Sequence, residues 1–296
     1  MNDGPPGSTW SRPAAPRPAD ADSTRGRHFR ELLHGRAFAY GLVFGSVGAL
    51  IAGAWLGSPV IAVIGPIAVA AAALLIALVA ADRRSEEDFF RTYAAAHGLV
   101  YQGTIGLLPM TPLLGAGDRR RCEHWMKGRL EGGDLEIGLG HYTYEVRRRD
   151  EHGRMETRET RHFTICVVDL EAAMRMFPGI FLCRRRGVFG VLDGKDWLSH
   201  ANRHKVELES ARLCERYELW VDDAQDELLL HELFTPSFEV LLAEYPLESC
   251  FEYRAGTLVV HVERRLEDEG HLDWMREVTG TIATRFATEV RETNAA

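Results

Sequence analysis

The residues best suited to bind something in this chain are arginines, which occur as three triplets: Arg119, Arg120 and Arg121; Arg147, Arg148 and Arg149; Arg184, Arg185 and Arg186. Clustered guanidinium groups recognise carboxylates and phosphates by charge-assisted hydrogen bonds, so the chemistry they offer is anion binding. The opposing reading is that they are solvated or paired with Asp150, Glu151, Glu156 and Glu159 in the same loops, as charge runs at hairpin ends commonly are. His200 and His204 stand four residues apart, a spacing that aligns two imidazoles on a helix, but the segment "SHANRHK" supplies no third ligand and no acid for a metal site. His141, Tyr142 and Glu145 alternate along "HYTYEV" and offer polar contacts to a small anionic ligand if a pocket forms beside the triplets. Cys122, Cys166, Cys183, Cys214 and Cys250 are isolated in apolar surroundings without a CxxC, as expected of reduced core thiols. The sequence contains no phosphate-binding glycine loop, nucleophile elbow or HExxH motif, so no catalytic residue, cofactor or metal is expected.

The elements that carry these residues are set by an uneven distribution of charge. No Asp, Glu, Lys, Arg or His occurs between Ala37 and Ala81, a gap of 45 residues in a chain that is 26% charged. As a single helix this gap would be about 67 Å long, roughly twice the ~30 Å hydrocarbon core of a bilayer. Gly57, Ser58 and Pro59 break it in the middle. The pattern therefore predicts a transmembrane helical hairpin over 29–84, with spans at about 37–56 and 60–81. Arg25, Arg27, Arg30 and Arg36 precede the first span, and Arg83 and Arg84 follow the second, which puts both termini in the cytoplasm of a multi-pass cell-membrane protein. Ala52-Gly53-Ala54 resembles a signal-peptide cleavage site, but the leader would be unusually long and its apolar run exceeds the usual h-region. Gly41, Gly45, Ala49 and Gly53 place small residues on one stripe of the first span, suited to close packing against the second span or against another copy of the chain.

Residues 1–28 are rich in Pro, Ala, Ser and Gly and predict a disordered cytoplasmic tail. Residues 85–296 predict a cytoplasmic α+β domain, in one piece or as halves 85–200 and 201–296. Ser85 with its following acids reads as the start of a short helix ending near Gly98. "HWMKGRL", "LEIGLGHYTYEV" and "RHFTICVVDL" then form an antiparallel meander, and "GIFLC" a further antiparallel strand. Pairing about the "EGGD" turn sets residue 130 opposite 135 and residue 119 opposite 146, which brings the first two arginine triplets to one end of the sheet, with Arg184 delivered to the same end. "ESCFEYRAGTLVVHVE" reads as a hairpin turning at Ala255-Gly256. Leu272, Met275, Val278, Ile282, Phe286 and Val290 define the buried stripe of a final helix.

Two apolar spans, "EEDFFRTYAAAHGLVYQG", the loop "LLPMTPLLGAG", "HYTYEV", "FTPSFEVLLAEYP" and "FEYRAGTLVVHVE" in this order resemble a group of uncharacterised bacterial two-pass membrane proteins with a cytoplasmic domain of unknown function. The resemblance implies an anchored domain at the bacterial inner membrane and carries no catalytic residues. Charge is consistent with a segregated surface: residues 82–203 carry 20 Lys and Arg against 18 acids, a net +2, whereas 204–296 carry 9 against 21, a net −12. The expected function is a non-enzymatic interaction module that binds a protein partner or the anionic bilayer surface through its arginines. The alternative is an enzyme or sensor for an anionic small molecule. A net charge of −8 without an aromatic-rich basic strand argues against nucleic acid.

Overall fold

The computed structural model describes residues 36–55, 59–130, 134–149, 155–185, 202–244 and 249–295. The chain divides into two compact units, residues 1–92 and 93–296. The proposed tail, Arg186, His200 and the turns 131–133 and 150–154 lie outside the described residues.

In the first unit, helix α1 spans Arg36–Trp55 and helix α2 begins at Pro59. Pro opens α2 because its fixed φ suits the first helical position and its missing N–H would have no partner there. The two helices approach closely: a Cβ built on Gly45 would lie 2.7 Å from Val69 Cγ1, and one on Gly65 would lie 2.8 Å from Ala49 Cβ. Gly41 and Gly53 belong to the same helix, α1. Among the described residues one helical segment, Ile64–Ala96, is long and apolar enough to cross a membrane. Helix α2 runs unbroken over 38 residues, Pro59–Ala96, so the helix expected to start at Ser85 is a continuation of it. The physical reason is that an N-cap residue ends a helix only when the preceding backbone leaves the helical region, and the residues before Ser85 include neither Gly nor Pro after Pro66.

The second unit is built on a nine-stranded, wholly antiparallel sheet. Its strands in chain order are β1 (Val100–Ile105), β2 (Arg119–Arg129), β3 (Glu136–Arg149), β4 (Met155–Asp169), β5 (Gly179–Arg184), β6 (Arg203–Val206), β7 (Tyr217–Asp222), β8 (Cys250–Arg254) and β9 (Thr257–Val262). Their spatial order is β1-β2-β3-β4-β9-β8-β5-β7-β6. The meander β1–β4 is therefore joined through β9 to strands from the C-terminal half. The β8–β9 turn is made by Ala255 (φ 49°) and Gly256 (φ 80°), the left-handed pair that a two-residue hairpin requires. Short helices α3 (Pro112–Gly115), α4 (Ala211–Arg216), α5 (Glu227–Leu233) and α6 (Pro236–Glu244) and the long α7 (Glu269–Ala295) complete the unit.

Each face of the sheet has its own cover. Helix α7 buries the stripe Leu272, Met275, Val278, Ile282, Phe286 and Val290. Phe286 is its anchor, with ring centroids 5.2 Å from Phe177 and 4.9 Å from Tyr253. On the other face Leu113 and Leu114 of α3 pack in one cluster with Cys122, Trp125, Tyr142, Tyr144, Phe163 and Ile165. Trp125 lies flat on β3 because Gly138 leaves room: a Cβ there would be 1.9 Å from the indole. This cover is tied to the far half of the sheet by Glu252 on β8, whose Oε1 accepts from Thr111 Oγ1 at 2.7 Å and from Leu113 N at 2.9 Å.

Candidate functional site

The arginine-bearing end is shaped by one irregularity in β2. Met126 faces Leu139 and Arg129 faces Glu136, as pairing about the turn demands, but beyond Trp125 the register slips and Arg119 faces Glu145 instead of residue 146. The cause is a bulge at His124, which has a left-handed φ of 53°. Alternation sets Arg119 and Arg121 on one face of the sheet and Arg120 on the other, and the slip exchanges the two faces. Arg120 Nη1 donates to Leu114 O at 3.3 Å and so supports the loop cover. Arg121 Nε lies 3.5 Å from Glu123 Oε1, whose other oxygen accepts from Arg265 Nη2 at 2.7 Å.

Strands β3 and β4 continue past their neighbours as a two-stranded ribbon. Strand β2 pairs with β3 only as far as Glu145, and β9 pairs with β4 only from Thr164 onward. The second triplet rides on this ribbon, with Arg147 opposite Thr157, Arg148 opposite Glu156 and Arg149 opposite Met155. Asp118 fixes the ribbon's base: its Oδ2 accepts from Arg147 N at 2.7 Å while its own N donates to Glu145 O at 2.8 Å. Arg148 and Arg149 are exposed, as are Arg119 and Arg121. The first two triplets therefore meet at one end. Arg184 and Arg185 do not join them. Arg184 faces Tyr217 on β7, and five strand spacings separate β5 from β2, about 24 Å at ~4.8 Å each. Arg185 is held by α4, its Nη1 donating to Cys214 O at 3.3 Å.

An open groove of about 740 Å³ lies where the ribbon leaves β9, lined by Glu159, Thr160, Arg161, His162, Glu263, Arg264 and Arg265. Its charges are largely matched internally, with Arg161 2.5 Å from Glu159 and 2.7 Å from Glu263. His162 Nδ1 lies 3.1 Å from Thr143 Oγ1, and partial burial followed by the charges of Arg265 and Arg121 holds its pKa below the usual histidine value. Sequence reasoning missed this groove because its residues are scattered over β4 and the segment after β9; only the doublet Arg264-Arg265 hinted at it.

The residues proposed for a small-ligand pocket lie elsewhere. His141 and Tyr142 are 0% and 1% exposed, with His141 Nε2 3.0 Å from Leu266 O and Tyr142 OH donating to Leu114 O at 3.0 Å. Glu145 is engaged with Arg147 at 3.5 Å. His204 Nδ1 lies 3.2 Å from Asp223 Oδ1. None of the five cysteines forms a disulfide; Cys122 and Cys166 are buried and Cys183, Cys214 and Cys250 half-buried, with Arg184 N donating to Cys250 Sγ at 3.2 Å. Burial pushes the Cys166 thiol up to about 12 and raises Cys122 and Cys183 as well, which keeps these thiols protonated and poorly nucleophilic.

No protein-family model and no curated protein matches the chain. Among solved structures the chain is similar to the crystal structure of the mycobacterial trehalose monomycolate transport factor A, TtfA, at 9% identity and a TM-score of 0.45, over 70% of this chain and 96% of that one.

Proposed function

We propose that this protein is a membrane-anchored interaction module whose basic sheet end binds an anionic surface. In this reading α1 and the apolar part of α2 cross the membrane as a hairpin, both termini lie in the cytoplasm, and the α+β unit works beside the inner leaflet. The observation that carries it is the meeting of Arg119 and Arg121 with Arg147, Arg148 and Arg149 at one end of the sheet, four of these five exposed. The leaflet is the favoured ligand on physical grounds. A tethered domain meets it at a permanently high effective concentration, and each basic residue near an anionic surface contributes on the order of 1 kcal/mol. The core positions of His141 and Tyr142 favour this reading over catalysis on a small anion.

The test is hydrogen exchange on the full-length protein in vesicles of anionic and of zwitterionic lipid. Amides of the β3–β4 ribbon gain protection in anionic vesicles, and the gain disappears in high salt and in the variant R147E/R148E/R149E. Equal exchange in both lipids sinks leaflet binding. Recovery of a protein from solubilised membranes by the wild type alone would then transfer the role to an acidic partner, and recovery by both forms would remove the arginines from the function.

A further inference from the structure

We propose that His97, Glu269 and Asp273 form a binding site for a divalent transition-metal ion of zinc type, separate from the arginine-bearing end. His97 follows the last residue of α2 and precedes Gly98, whose φ of 66° turns the chain toward β1. Glu269 and Asp273 stand four residues apart in the first turns of α7 and so share a face. His97 Nε2 lies 3.2 Å from Asp273 Oδ1 and 3.8 Å from Glu269 Oε1, and one ligand atom from each residue falls within 4.8 Å of the other two.

These separations suit a small cation. In a tetrahedral site with bonds of about 2.1 Å, ligand atoms lie about 3.4 Å apart, a value the two histidine–carboxylate distances bracket. The imidazole has the hallmark of a ligand: Nε2 is shielded from solvent and makes no hydrogen bond of good geometry within the described residues. The surroundings orient the donors as the partners of metal ligands do. Tyr93 OH donates to Asp273 Oδ1 at 2.9 Å, and the Tyr93 ring packs against His97 with centroids 4.4 Å apart. Arg276 Nη1, 3.6 Å from the same Asp273 oxygen, offsets one of the two carboxylate charges. One imidazole and two carboxylates leave a fourth position for water and select zinc-like ions over magnesium, which prefers an all-oxygen shell. The simpler account is His97 paired directly with both acids. It requires no metal, and the two accounts give opposite results on titration.

The experiment is calorimetric titration of the full-length protein in detergent, stripped with chelator, using Zn²⁺ and, in parallel, Mg²⁺. One equivalent of Zn²⁺ binds and raises the melting temperature, while Mg²⁺ does neither. Glu269→Gln, at a side chain 67% exposed and therefore tolerant of change, weakens Zn²⁺ binding by about tenfold or more without altering the melt of the stripped protein. His97→Asn does the same, whereas His204→Asn, at a histidine–carboxylate pair elsewhere in the unit, leaves binding unchanged. Absence of Zn²⁺ binding, equal response to Mg²⁺, or binding undiminished in Glu269→Gln and His97→Asn overturns the proposal.

Discussion

Glu252 ties the loop cover at Thr111 and Leu113 to β8, and its burial gives it a measurable signature. Desolvation pushes its carboxyl up to about 8, although Thr111 and Leu113 donate to it and Arg203 and Arg254 pull the other way. A carboxyl raised in the folded state holds its proton there while the unfolded chain has lost it, so stability falls as pH rises from about 4.5 to about 8. His261 acts in the opposite sense: burial lowers it from 6.5 to about 3, so its cost appears as pH falls through that range. Of these two, only Glu252 acts between pH 6.5 and 8. Melting of Glu252→Gln is therefore expected to be flatter than wild type across that window, with the variant at least as stable at pH 8. Glu252→Ala leaves Thr111 Oγ1 and Leu113 N without their acceptor and costs about 1–3 kcal/mol by denaturant titration at any pH. Nothing in "CFEYR" marks this glutamate. Alternation shows which face it occupies, but only the fold shows that the loop at Thr111 covers that face.

At the scale of elements, periodic features were legible and local irregularities were not. The meander, the Ala255-Gly256 hairpin and the buried stripe of α7 follow from spacing alone, because each repeats a contact several times. The bulge at His124 is one residue in a left-handed conformation, without a glycine to signal it, and it shifted every pairing beyond it by one. Arg184 is set apart from the first two triplets for a related reason: strand direction can be read from sequence, whereas the lateral order β4-β9-β8-β5 depends on which distant strands pair. Two substitutions test the packing. Phe286→Ala removes the ring that meets Phe177 and Tyr253 and is expected to cost about 3–5 kcal/mol, read as a lower denaturant midpoint with an unchanged slope. Gly138→Ala places a methyl group within the Trp125 ring and is expected to cost about 1–3 kcal/mol, with a change in tryptophan fluorescence marking the displaced indole.

At the scale of the whole molecule, charge is partitioned along the chain, with the net −12 in residues 204–296 and the exposed arginines on β2 and β3. Partition was visible by counting, but the meeting of Arg119 and Arg121 with Arg147, Arg148 and Arg149 needed the pairing of β2 with β3. The ribbon that carries the second triplet has a further consequence. Past Glu145 on β3 and before Thr164 on β4, each strand pairs with another strand on one side only among the described residues, and on the β3 rim Arg147 N is taken up by Asp118. Such a rim invites another chain to add itself, and the charges of Arg147, Arg148, Arg149, Glu156, Arg158 and Glu159 make that addition costly. Reversing the arginines to Glu keeps this repulsion, whereas replacing Arg147, Arg148 and Arg149 by Val removes it. The valine variant is expected to self-associate on size-exclusion chromatography while the glutamate variant stays dispersed, which would give the three side chains a role in keeping the protein from sticking to itself, whatever surface they meet.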